Sequence, residues 1–137
     1  MCLFTQQKEA FTAERDITVY KVLELRTEKV SLPSPYFGDR SGFFAPYITS
    51  PRYEYHRGEN KPYRNPSLTE KEYGPIEHLH GYKITDGWLH AYLDAWKAER
   101  QAATMDGCMV VKMKIPKGSR FFVGANDYEI CSDCLFW

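Results

Sequence analysis

Between residues 40 and 64 the chain interleaves cations with rings: Arg40, Arg52, Arg57, Lys61 and Arg64 alternate with Tyr53, Tyr55, His56 and Tyr63. A guanidinium forks onto phosphate or carboxylate and a phenol ring stacks on a base, so this mixture can hold a small nucleotide-type ligand. Tyr and Arg are also enriched where proteins grip one another, which makes a partner-protein surface the second reading. The third is packing alone, with tyrosines laid on a sheet and arginines solvating its edge. Asp39, Glu54 and Glu59 dilute the positive charge and argue against extended nucleic acid.

Other reactive side chains come in smaller groups. Cys131-Ser132-Asp133-Cys134 has metal-like spacing, and His78, His80 or Cys108 could complete a ligand set. Residues three apart on a continuous strand point to opposite faces, however, and no Gly is present to fold a knuckle. Buried or incidental thiols are expected, and no metal. His78 and His80 share a face if extended, but Glu77 falls on the other. His90, between Trp88 and Tyr92, has no identifiable orienting partner, so a partly buried, hydrogen-bonded imidazole is expected rather than a general base. Gly118-Ser119-Arg120 follows Pro116 as a turn and is not a phosphate-cradling loop. These residues form no complete catalytic constellation, and no cofactor is expected from them.

The elements that must position these side chains are mostly strands. Ile17, Val19, Val22, Leu23 and Leu25 near-alternate with polar residues as a first strand. Pro33, Pro35, Pro46, Pro51, Pro62 and Pro66 exclude a long helix from the middle. Tyr36, Phe37, Phe43, Phe44, Tyr47 and Ile48 nevertheless predict an ordered, irregular, aromatic-rich insertion there. His80 to Thr85 reads as a short strand. Trp88, Leu89, Tyr92, Trp96 and Ala103 recur at helical spacing and predict one main helix over about 87–105, although Trp88, His90 and Tyr92 also alternate as a strand would, which moves the start to about Asp94. Cys108 to Ile115, Arg120 to Val123 and Asp127 to Trp137 complete the strands. The expected architecture is α+β, a largely antiparallel sheet with that helix, formed by residues 16–137 as a single domain. Residues 1–15 read as an N-terminal arm lying on the domain or on a partner.

With 18 Lys plus Arg against 18 Asp plus Glu, the net charge of this 137-residue chain is zero, which excludes a generalised polyanion binder. Apolar runs are far shorter than the roughly 20 residues a spanning helix needs, so no membrane association is expected. Met1 to Ala10 does not read as a secretory signal, and Cys2, Cys108, Cys131 and Cys134 are expected as free thiols in the cytoplasm. Aromatic residues make up 15%, more than a minimal core requires, so some rings should line a surface or a homo-oligomer interface. Leu135-Phe136-Trp137 should be paired and packed, or buried between subunits.

The runs Asp16-Ile17-Thr18-Val19-Tyr20-Lys21-Val22-Leu23, Asp86-Gly87-Trp88-Leu89-His90-Ala91-Tyr92 and Ile115-Pro116-Lys117-Gly118-Ser119-Arg120 resemble a family of small uncharacterised proteins of gut bacteria and their phages. Met1-Cys2-Leu3 and Ile130-Cys131-Ser132-Asp133 fit the same pattern. That resemblance implies a mobile-element context and brings no activity with it. Tyr20-Lys21, His90-Ala91-Tyr92 and Glu129 are more distantly similar to the strands of the ADP-ribosyltransferase-like fold, which implies NAD as cofactor. Glu129 would there steady the positive charge on the ribose as nicotinamide leaves. Lys21 stands where that fold carries Arg or His, no Ser-Thr-Ser strand is present, and Asp127 is the sole candidate for a carboxylate two residues before Glu129.

The sequence therefore points to a phage-type or mobile-element accessory protein, with counter-defence as one role. It would act stoichiometrically on a host protein or a nucleotide-type ligand through Arg40, Arg52, Tyr53, Tyr55, Arg57, Lys61, Tyr63 and Arg64. The alternatives are an ADP-ribosyltransferase-like enzyme using Lys21, His90 and Glu129 with NAD, and a structural subunit of an oligomer.

Overall fold

A computed structural model describes residues 3–31, 37–46 and 53–137. In chain order its strands begin with β1 (Leu3–Thr5), β2 (Phe11–Thr12), β3 (Ile17–Ser31), β4 (Phe37–Phe44), β5 (Glu54–Tyr55) and β6 (Glu59–Asn60). A 3-10 turn (Glu70–Tyr73), β7 (Ile76–His78), β8 (Gly81–Ile84), β9 (Leu89–Tyr92) and the helix α1 (Ala95–Ala103) follow. The chain finishes with β10 (Cys108–Ile115), β11 (Arg120–Val123), β12 (Glu129–Ser132) and β13 (Leu135–Phe136). Among the described residues every strand pairing is antiparallel and α1 is the one α-helix, the sheet-rich α+β arrangement implied by the alternating apolar pattern.

β3 and β10 form the spine, in register from Ile17 opposite Ile115 to Glu24 opposite Cys108. Because side chains alternate along a strand, Val19 and Leu23 share a face with Val111, Met113 and Ile115. With Leu89, Ala91, Ile130, Leu135 and Tyr55 they make the main core. Each large apolar member contributes roughly 1.5–3 kcal/mol by leaving water. The other edge of β3 is forked. Tyr20 pairs with Tyr92 of β9, whereas from Glu24 onward β3 pairs with β4. Lys21 lies in that fork on the core face, and its Nζ donates to the His90 carbonyl at 2.6 Å. The amine thus supplies a donor where the two ladders part, as buried backbone oxygens require.

The helix is shorter than the expected span of 87–105. Leu89–Tyr92 is a strand paired with β12, and α1 starts only after Asp94, whose carboxylate accepts from the Trp96 amide at 2.9 Å. Sheet pairing overrides helical spacing there because Trp88 and His90 alternate with Leu89 and Ala91 between two cores. The expected run from Asp127 to Trp137 is likewise two strands, broken at Asp133-Cys134. Asp133 turns its carboxylate back to accept the Arg120 amide at 2.9 Å. Leu135 is fully buried and the Trp137 ring meets Phe43 edge-on at 5.1 Å, as expected of packed closing residues, whereas Phe136 between them is 41% exposed.

Residues 3–15 are laced into the fold. β1 pairs with β8, itself paired with β7, and β2 pairs with β11. The three-stranded sheet packs Leu3 and Ile84 against Trp88, Phe122 and Cys131, a second core on the reverse side of β9, β11 and β12. Of the aromatic insertion, β4 to β6 and the 3-10 turn are described. Pro33, Pro35, Tyr36, Tyr47, Ile48, Pro51 and Arg52 lie outside the described residues. Among the described residues no helix is long and apolar enough to cross a membrane.

Candidate functional site

A cleft of about 640 Å³ opens beside the second core. One wall is the segment joining β1 to β2, which carries Lys8, Glu9 and Ala10. It is held by side chains reaching the β11 backbone. Thr5 Oγ1 donates to the Val123 carbonyl at 2.7 Å, Gln7 Oε1 accepts the Val123 amide at 2.5 Å, and Gln7 Nε2 donates to the Phe121 carbonyl at 3.3 Å.

The opposite wall is the 3-10 turn with Glu70, Lys71, Gly74 and Pro75. Its start is fixed by the Thr69 amide donating to Glu72 Oε2 at 2.7 Å. Its end is tied to the floor, because Trp88 Nε1 donates to the Tyr73 carbonyl at 2.8 Å. Gly87 is required here. Its φ is +79°, and a Cβ would stand 2.5 Å from Tyr73 Cδ1. Glu77 and Tyr82, directly opposite one another on β7 and β8, close the third side. The floor is Trp88 set edge-on to Phe122 at 5.0 Å.

Three carboxylates (Glu9, Glu70, Glu77) and three cations (Lys8, Lys71, Arg120) therefore ring an aromatic floor. Arg120 and Glu70 pair at 3.1 Å across the two walls, and Arg120 Nη1 also donates to Thr12 Oγ1 at 2.8 Å. Both partners are more than a third exposed, so this bridge positions the walls more than it stabilises the fold. The lining offers stacking and charge pairing, and neither His, Cys nor a hydroxyl other than that of Tyr82.

Among the described residues, those of the aromatic and basic group singled out from sequence are placed elsewhere. Tyr53 lies between Tyr55 at 4.6 Å and Tyr63 at 5.0 Å with its ring tilted to both, and Tyr55 is buried in the main core with 3% exposure. Exposed Arg57 lies over the Trp137 ring at 4.8 Å. Exposed Lys61 comes within 3.5 Å of Glu59. Arg40 sits in β4 opposite Glu28, and Arg52 lies outside the described residues. Arg64 packs over Trp88 at 4.5 Å and Tyr73 at 5.3 Å, with Nε donating to the Gly87 carbonyl at 2.7 Å. It supports the floor of the cleft without lining it.

The fork brings together two members of the second group, Lys21 and His90. Burial alone brings the Lys21 ammonium down to about 8, and burial first, then the Lys21 charge, brings the His90 imidazole down to about 3. His90 Nδ1 is buried without a hydrogen-bond partner. Glu129 stands on β12 opposite Tyr92, half-buried. Cys131 is buried in the second core, its thiol pushed up to about 12 by burial, and Cys134 is buried beyond the bend. Among the described residues no three His, Cys, Asp or Glu side chains gather as a metal site.

Sequence reasoning passed over Lys8, Glu9, Glu70 and Lys71, and weighed Glu77 only beside His78 and His80, because these residues come from three separate segments with no shared spacing. The one local signal was Thr69-Glu70-Lys71-Glu72, a helix-start pattern that marks the wall but says nothing of what it faces. No protein-family model, curated protein or solved structure matches this chain.

Proposed function

We propose that this chain is a small accessory binding protein of the phage or mobile-element kind, working in the cytoplasm by stoichiometric engagement of a host protein. The cleft over Trp88 is its contact site. The observation that supports this reading is the ring of three carboxylates and three cations around an aromatic floor. A nucleotide would bring several negative charges against Glu9, Glu70 and Glu77, whereas a protein surface offers both signs and rings to stack. Free thiols at Cys108, Cys131 and Cys134 accord with a reducing compartment.

The test pairs native mass spectrometry of untagged protein with cross-linking to host extract. A one-to-one adduct is expected, lost when Glu9 and Glu77 are both changed to lysine while thermal unfolding is unchanged. An adduct indifferent to that reversal would place the contact elsewhere, and a nucleotide mass released on denaturation would overturn the protein-partner reading.

A further inference from the structure

The three-stranded sheet ends in an unused edge. Its order is β1-β8-β7, and among the described residues β7 pairs with β8 alone. Every residue of β7 is exposed, Ile76 by 59%. Alternation along β7 sends Glu77 to the cleft side with Tyr82 and sends Ile76 and His78 to the other side, where His78 meets Phe4 at 5.3 Å. A strand laid beside β7 would therefore drop every second side chain into the cleft and spread the others over Ile76. Such an edge offers unpaired backbone N–H and C=O groups, and added strands draw affinity from those groups and selectivity from pockets for alternate side chains.

We infer that the partner enters as an extended segment added to the β7 edge. Its cleft-side positions carry an aromatic or apolar residue over Trp88, flanked by one basic and one acidic residue. The need for both charges follows from the rim, where Lys8 and Lys71 complement an acid and Glu9 and Glu77 complement a base. This inference rests on the cleft being the contact site and adds the direction and chemistry of what fills it.

The probe is a pool of capped pentapeptides with valine at positions 2 and 4 and Lys, Glu or Phe at positions 1, 3 and 5. Binding is read by amide hydrogen exchange of Ile76–His78 and by the change in tryptophan fluorescence. Members with Phe in the centre and opposite charges at the ends should protect the β7 amides. They should also lose about tenfold in affinity when a backbone nitrogen facing β7 is methylated, the effect of one lost hydrogen bond. In a Glu9→Lys, Glu77→Lys protein the preference should move to doubly acidic peptides. No protection of β7 by any member up to millimolar concentration overturns strand addition, as does equal binding of the methylated peptide. The cross-linked host adduct, scored separately, decides whether the cleft is the contact site at all.

Discussion

Replacing Lys21 with methionine is expected to stabilise the protein near neutral pH and to lose that advantage in alkali. The side chain is 9% exposed, and its described polar contacts are the His90 carbonyl and the Tyr55 ring 5.2 Å away. Burial moves its pKa from 10.5 to about 8, which corresponds to about 3 kcal/mol held against the ammonium form. Methionine fills a similar volume without that cost but leaves the His90 carbonyl without its donor, a loss of about 1–2 kcal/mol. The net gain at pH 7 is then about 1–2 kcal/mol. Between pH 8 and 10.5 the unfolded chain holds the Lys21 proton and the folded one does not, so wild-type stability rises with pH. By about pH 9.5 the penalty has relaxed by about 2 kcal/mol and the advantage of the variant is gone. Urea unfolding of both proteins at pH 7 and 9.5, followed by tryptophan fluorescence, measures the difference. Taking that difference cancels Tyr53, whose phenol is raised by burial from 10.0 to about 12, so that its contribution is lost as pH rises through that range in both proteins. A variant less stable at pH 7, by an amount unchanged at pH 9.5, would refute the reasoning.

Removing Leu135 to Trp137 should cost more than about 3 kcal/mol and strip the soluble folded protein, since Leu135 is fully buried and Trp137 packs on Phe43. An unchanged urea midpoint would contradict that packing. Gly87→Ala should destabilise by about 1–3 kcal/mol through positive φ and the clash with Tyr73, and a crystal structure of the variant should show that ring displaced. Asp94→Ala should cost about 1 kcal/mol and reduce helical circular dichroism, because it removes the acceptor for the Trp96 amide. Equal thermal unfolding of wild type and variant would show that the cap contributes nothing.

What the sequence revealed of the fold was whatever local alternation encodes. Cys108 to Ile115 and Arg120 to Val123 are strands at those bounds, and Gly118 sits at φ +91° in the turn between them. Helical and strand spacing coincide at residues 88–92, and there the alternation of Trp88, His90 and Tyr92, with a helix start near Asp94, is what the structure shows, because β12 pairs with that segment. Alternation missed the break at Asp133, which depends on the Arg120 amide across the turn. The cleft was illegible for a stronger reason. Its charges belong to loops and edges, where any polar residue is compatible with local structure, and only the pairing of β1 with β8 and the Trp88–Tyr73 bond bring them round one floor. Arg64, singled out for its residue type, packs its guanidinium on the rings of Trp88 and Tyr73, a placement that local sequence does not encode.

The hydroxyl of Thr5 binds the carbonyl of Val123 across 118 residues of chain, and the Ala125 amide binds the carbonyl of Phe4 at 2.7 Å. During synthesis at about 5–20 residues per second, Leu3 and Phe4 therefore wait on the order of ten seconds for their seat to be made. Until then the nascent chain presents the Leu3 side chain, which it cannot yet bury. A slow stretch of message between the codons for Phe4 and Val123 would lengthen that window, and a chaperone that holds the Leu3–Thr5 segment as it emerges would raise the yield of folded protein more than one acting after release.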